Sequence, residues 1–242
     1  MIRVKAAFFS FTAPPHAGPD YLRWHLLDHQ PEQYQLPGIQ LAMRYIADGA
    51  YPDGRLVTEG PLASVGDVTN YLVGDPVQQT HDDFLELGTR LAEMGRYPHR
   101  LDLIQLRMPA LLSWHASPQA VVSAEVVPWR PHRGVLVIVE EPVGDEAEVA
   151  SWLQWLHREH HPALLAWPGT AGAWLYGSSG TWEQSPQVSG GPQYTTVVYL
   201  DEDPLATTAA LRPLVEQRWA SGAVRPLFAG PLRTMIDWEF WR

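Results

Sequence analysis

Two histidines, His29 and His160, share one surrounding pattern: a tryptophan five residues before, an acid immediately before and a proline two residues after. Imidazole titrates near neutral pH, so a histidine in a recurring setting is a candidate general acid or base. The competing reading is a helix C-terminus, where a protonated ring meets the negative end of the dipole. Asp28 and Glu159 stand where a carboxylate could orient the ring; neighbouring helical positions point about 100° apart, however, which suits a surface acid better. Tyr45 and Tyr176 follow sixteen residues after each histidine. They are catalytic candidates as donors to a carbonyl or phenolate, or else ordinary strand aromatics. Trp24, His25, Trp155 and His161 are the substrate-binding candidates, with core packing as the alternative for both tryptophans.

Metal chelation was weighed on the pairs His25/His29 and His157/His161, each four residues apart. The two pairs are one residue out of register, no acidic third ligand accompanies them, and no metal site is expected. The chain has no cysteine, which excludes disulfides and thiolate chemistry. GxGxxG, Walker A, GxSxG and EF-hand patterns are absent. His81, His115 and Arg107 are polar candidates without a pattern behind them.

These residues belong to a repeat. Tyr21–Ile46 returns as Trp152–Gly177 at an offset of 131, with Leu22/Leu153, Trp24/Trp155, His29/His160, Pro31/Pro162, Pro37/Pro168, Gly38/Gly169, Ala42/Ala173 and Tyr45/Tyr176 identical. Spacing this specific exceeds what a shared helical period produces, so the chain reads as two copies of one unit. In the first copy, strands are expected at Val4–Phe11, Ile39–Ala47, Asp67–Val73 and Leu101–Leu106. A helix is expected from Asp20 to about His29, ended or kinked by Pro31. A second begins at a Thr80/Asp83 capping box and carries Phe84, Leu87, Leu91 and Met94 as a stripe. The second copy repeats the order with strands at Gly134–Glu140, Ala171–Tyr176, Tyr194–Leu200 and Leu232–Trp241. Its helices follow Asp145 and include Leu211, Leu214, Val215 and Trp219. Tyr199-Leu200 echoes Tyr71-Leu72. The domain boundaries expected are 1–115, a linker 116–133 carrying Pro118, Pro128 and Pro131, and 134–242.

Each copy is thus βαββαβ, an α+β ferredoxin-like unit whose sheet is apolar on both faces. Packing the two tandem sheets together covers the faces that helices leave open, as an intramolecular barrel.

The 242 residues carry a formal net charge of −10, without a Lys/Arg run longer than a dipeptide, which disfavours nucleic acid and anionic membranes as partners. Neither a signal-peptide pattern nor an 18-residue apolar run occurs, so a cytoplasmic protein is expected. Eleven tryptophans suit either a dense core or an aromatic-lined pocket.

The run of aromatic, acid, His and Pro, then Pro-Gly and Tyr, resembles the EthD-like family of the dimeric α/β-barrel superfamily. It is carried by Trp24, His29, Pro31, Gly38 and Tyr45, and by Trp155, His160 or His161, Pro162, Gly169 and Tyr176, so the likeness covers both halves. The resemblance implies the barrel fold and a pocket for a hydrophobic small molecule. It also implies that a chain with two units can keep one pocket and lose the other. The expected function is a cofactor-free enzyme on an aromatic or polyketide-like molecule, using histidine acid–base chemistry for dehydration, cyclisation or isomerisation. The alternatives are a non-catalytic binding or accessory protein and a haem- or metal-dependent monooxygenase. The chain is expected as a monomer or a homodimer of fused repeats.

Overall fold

The computed structural model describes residues 3–13, 19–97, 103–178, 183–184 and 191–235. The first unit runs β1 (Ala6–Thr12), α1 (Pro19–Trp24), a π turn (His25–His29), α2 (Gln30–Gln33), β2 (Ile39–Ile46), β3 (Asp67–Val73), α3 (Val77–Glu93) and β4 (Leu103–Arg107). Strand β5 (Ala110–Ala116) follows directly. The second unit runs β6 (Gly134–Pro142), α4 (Glu146–Trp155), a π turn (Leu156–His160), α5 (His161–Leu165), β7 (Thr170–Ser178), β8 (Glu183–Gln184), β9 (Gln193–Leu200), α6 (Pro204–Gln217) and β10 (Val224–Thr234).

Within the units the strands pair in the orders β4-β1-β3-β2 and β10-β6-β9-β7, all antiparallel. That is the ferredoxin-like order twice. Each unit's last strand then crosses to the other's second strand: β5 pairs with β7, and the end of β10 pairs Arg233 and Thr234 with Ile46 and Tyr45 of β2. With β1 paired to β3 along its length and to β5 at Ala6, the sheet closes on itself, leaving β4 and the two-residue β8 beside the ring. The inner faces of both units make one core, including Phe9, Phe11, Tyr45, Val137, Trp174, Tyr176, Tyr199 and Phe228. Helices cover the outer faces in three separate clusters. Strands buried on both sides explain why β1 and β6 are nearly continuous apolar runs instead of alternating ones.

Two irregularities recur at the offset of 131. The π turns His25–His29 and Leu156–His160 are one. Register shifts between Ile39 and Leu41, and between Thr170 and Gly172, are the other. In each π turn a backbone N–H reaches back five residues, from Gln30 to the His25 carbonyl and from His161 to the Leu156 carbonyl. Pro31 and Pro162 follow at once. A proline lacks the N–H and crowds the preceding turn of an α-helix, and a wider turn relieves both problems. The helix therefore continues through Pro31 to Gln33, and of the two outcomes expected at Pro31, an end or a distortion of the helix, it is the distortion that occurs.

Four other elements differ from the sequence reading. Helix α3 starts at Val77, so Thr80 lies inside it, buried, with its hydroxyl donating to the Pro76 carbonyl at 2.7 Å. The capping box is instead at α4, where Asp145 accepts from Glu148 N–H and Glu148 accepts from Asp145 N–H, both at 2.9 Å. Strand β10 begins at Val224, eight residues before the expected Leu232, and absorbs Pro226 at a register shift. Residues 236–241 of the expected strand, and 101–102 of the expected fourth strand, lie outside the described residues. Finally, Leu41 pairs with Leu72 and its counterpart Gly172 pairs with Tyr199. Tyr199 therefore corresponds to Leu72, not Tyr71, and a one-residue slip puts the two tyrosines on opposite faces.

Candidate functional site

The first unit holds a cavity of about 330 Å³ between its sheet and α1–α3. Strand positions of one parity, Ser10, Thr12, Thr69 and Tyr71, give it a hydroxyl-bearing wall. Phe84 and Leu85 of α3 face that wall, and Leu103 and Leu106 of β4, paired with Thr12 and Ser10, continue the sheet side with apolar groups. His25 and His29 project into it from the π turn. In an α-helix, residues five apart point about 140° away from each other. The wider turn instead brings Trp24 over His29, stacked with centroids 5.0 Å apart and planes at 20°.

His29 Nε2 lies 3.4 Å from the Tyr97 hydroxyl and 3.4 Å from the Gln33 amide nitrogen. His25 Nε2 lies 3.4 Å from the Tyr71 hydroxyl. Burial lowers the His29 pKa to about 4; Arg44 and Arg96 push the same way, against Asp28 and Glu32. Burial, then Arg44 and His29, drives His25 well below its ordinary value. Both rings are neutral at pH 7. Burial raises the Tyr97 hydroxyl to about 12 and keeps Tyr71 protonated as well, so both are donors.

Next to Tyr21 of the lining, Arg44 pairs with Asp67 at 2.7 Å, both side chains 2% exposed, and its guanidinium lies over the Tyr21 ring at 4.8 Å. At the mouth of the cavity Arg96 binds Asp28 at 2.9 Å and Glu32 at 2.7 Å, while the Trp24 indole donates to the Arg96 carbonyl at 3.0 Å. Asp28 thus holds Arg96 and does not orient His29. Glu159, its counterpart, is exposed.

The second unit builds the same frame and fills it. Trp155 packs on His160 at 4.9 Å, matching Trp24 on His29. Strand pairing makes Thr12 equivalent to Glu140, and Thr69 to Thr196. Glu140 takes a bidentate ion pair from Arg218 (Nε to Oε1 2.9 Å, Nη2 to Oε2 2.6 Å), which also donates to Thr196 Oγ1 at 2.9 Å. Both side chains are fully buried. Helix α6 has 14 residues against 17 in α3, and Arg218, directly after it, turns inward over Trp152. In the first unit Arg96, three residues past the end of α3, instead binds Asp28 and Glu32 with its side chain 32% exposed. His160 Nε2 is 2.8 Å from the Leu214 carbonyl, a tether to α6, and burial with nearby Arg218 lowers its pKa to about 3. His161 is fully buried beside it.

Tyr45 and Tyr176 occupy the barrel interior, across the sheet from either histidine pocket. Tyr45 meets His132 Nε2 at 3.0 Å, and His132 Nδ1 meets the Arg130 carbonyl at 2.9 Å. His132 is neutral because burial lowers its pKa, so its Nδ1–H donates to Arg130 and its Nε2 accepts from Tyr45. The fold therefore brings His25 and His29 to one pocket with Trp24 stacked on His29, buries His160 and His161 in the second unit, leaves Trp155 on a more open cavity of about 700 Å³ beside Trp152 and Arg218, and puts both tyrosines elsewhere. Sequence reasoning missed Tyr21, Tyr71, Tyr97 and Arg44 in the first unit, and Glu140 and Arg218 in the second. Only Glu140 carried a visible signal: a carboxylate ending the buried run GVLVIVE.

Gly88 of α3 lines the cavity, and a Cβ there would find only the Tyr97 hydroxyl, at 3.8 Å. A helix-interior glycine is worse than alanine by about 0.5–1 kcal/mol. Gly88→Ala is expected to raise the melting temperature by roughly 1–4 °C in calorimetry.

No protein-family model matches the chain, and no curated protein matches it significantly. Solved structures do. An anthrone oxidase-like protein aligns over 97% of this chain and 92% of its own, with TM-score 0.54 and 11% identity. A protein assigned by name to chlorite dismutase aligns over 96% and 95%, with TM-score 0.55 and 12% identity. A Fusobacterium nucleatum protein named as a monooxygenase aligns over 98% and 94%, with TM-score 0.52 and 9% identity. These similarities are of fold: like this chain, the three structures share an α+β arrangement over nearly their whole length. Among the described residues no helix is long and apolar enough to cross a membrane.

Proposed function

We propose that the first-unit cavity binds a compact aromatic or polyketide-like molecule and that His29 accepts a proton from it without a cofactor. One observation carries this reading: two imidazoles, each 3.4 Å from a tyrosine hydroxyl, face a cavity of about 330 Å³ lined by both strand hydroxyls and apolar side chains. Long hydrogen bonds in an empty site tighten when substrate arrives. A base with a pKa of about 4 is weak, so the substrate supplies an acidic C–H, α to a carbonyl or on an activated ring. When substrate enters, Tyr97 and Tyr71 turn their protons from the imidazoles to the oxygen on which the charge gathers, which frees His29 Nε2 to accept. Returning the proton to another carbon gives isomerisation; loss of hydroxide or closure onto a carbonyl gives dehydration or cyclisation.

The names of the anthrone oxidase-like and monooxygenase-named structures support a second reading, in which the same carbanion reacts with molecular oxygen. A haem fits poorly. His25, His29 and His160 each have Nε2 beside a protein polar group, and Arg218 fills the second unit. We further place the chain with EthD-like proteins. The π turns and strand irregularities repeated at one offset support descent from a tandem duplication, with one pocket retained.

His29→Ala is expected to lower turnover of an acidic hydroxyaromatic substrate by about 10²-fold or more, with dissociation constants within a few-fold by calorimetry. His160→Asn, in the filled unit, leaves turnover unchanged. Oxygen uptake in step with substrate loss selects the second reading. Equal turnover in His29→Ala and the unmodified protein sinks both.

A further inference from the structure

Outside the candidate site, three histidines meet where the crossover strand β5 passes the second π turn. His115 Nε2 and His157 Nδ1 are 3.1 Å apart, and their ring centroids are 4.8 Å apart. The His161 ring lies 5.4 Å from that of His115, edge-on. His161 is 0% exposed, and neither of its ring nitrogens has a hydrogen-bond partner among the described residues. A buried, unpartnered polar atom calls for an explanation, and an ion or an ordered water is the usual one.

We propose that His115 and His157 bind a divalent transition-metal ion, with His161 holding a water on that ion. Two imidazole nitrogens on a tetrahedral zinc ion, each at about 2.0–2.1 Å, stand about 3.3 Å apart. The 3.1 Å separation is nearly that bite. In the metal-free protein one ring donates to the other; a change of tautomer turns both lone pairs to the ion and moves the proton to the ring's outer nitrogen. No three His, Cys, Asp or Glu side chains converge on one metal-sized point among the described residues, so the protein supplies two direct ligands and water the rest. His157 is exposed and His115 half-buried, which leaves a path for the ion. A net charge of −10 favours cation approach. The bound ion would tie the first unit's crossover strand to the second unit's helical layer.

The test is titration of the full chain, free of any histidine tag, with Co²⁺ and Zn²⁺. The visible Co²⁺ spectrum should saturate at one equivalent, and Zn²⁺ should raise the melting temperature. His115→Ala and His157→Ala, each with an unchanged metal-free melting temperature, should weaken binding at least tenfold and abolish the Zn²⁺-induced rise. His161→Asn should weaken binding several-fold while keeping the one-equivalent endpoint. Binding in His115→Ala and His157→Ala equal to that of the unmodified chain overturns the site. Unchanged affinity in a folded His161→Asn overturns the role given to His161.

Discussion

Lowering the pH from 6.5 to 5 is expected to destabilise this protein by about 1.6 kcal/mol for each of His29 and His160. His25, His29, His160 and His161 all have pKa values pushed down, with burial the first cause in every case. The sign follows from which state takes the proton first. An unfolded histidine protonates near 6.5, while folded His29 resists to about 4 and His160 to about 3. Between those limits the unfolded chain binds more protons, so stability is complete above about 6.5 and drains away as the pH falls. Most carboxylates remain ionised at pH 5, so the loss over this interval belongs to the histidines. Against a total of about 5–15 kcal/mol for a globular protein, several such groups bring unfolding near pH 4–5. Urea midpoints measured between pH 7 and 5 should fall steadily, and His29→Gln should flatten the slope by about one histidine's share. A flat profile over that range would show that these rings are hydrated or paired in the folded state.

How much of this was legible in the residues differs by level. The repeat, the strand order and the closing of two sheets on each other follow from apolar runs such as GVLVIVE and from the 131-residue offset, because buried strands must be apolar on both faces. Pairing Trp24 with His29 was legible only as recurrence. Its geometry depends on a π turn, and an α-helical period puts the two rings on different faces. The face of Tyr45 and Tyr176 turned on strand parity, which shifts by one at Ile39/Leu41 and Thr170/Gly172 and is invisible without the pairing. The hardest feature was the difference between the halves. Nothing local to Arg96 or Arg218 says that one turns out to Asp28 and Glu32 while the other turns in to Glu140. That outcome needs the shorter α6 and the carboxylate on β6 together, two residues 78 positions apart.

That contrast supports the second large expectation, which concerns the filled unit. Glu140→Ala should destabilise the protein by about 3–5 kcal/mol, because it leaves Arg218 as a buried cation with no counter-charge. It also takes the acceptor from the Trp219 indole, which donates to Glu140 Oε1 at 2.8 Å. For a chain of this length the melting temperature should fall by roughly 6–20 °C. The pair itself need not be worth that much. Removing two charges from water costs nearly what their attraction returns, so Glu140→Leu combined with Arg218→Met should recover most of the loss. The double-mutant cycle separates the two contributions: a strongly coupled pair gives a double variant far more stable than the sum of the single ones. Additive losses would mean that each side chain is held by its other partners, Thr196, Trp152 and Trp219, and not by the ion pair. The cycle also bears on acid stability. Arg218 helps to depress His160 and His161, so the double variant should raise both pKa values and narrow the pH range over which stability is lost. Replacing both residues with alanine should empty the space that the ion pair fills and give the second unit a cavity to match the first. A second equivalent of the first-unit ligand binding to that variant would show that the filling side chains, and not the frame, distinguish the halves.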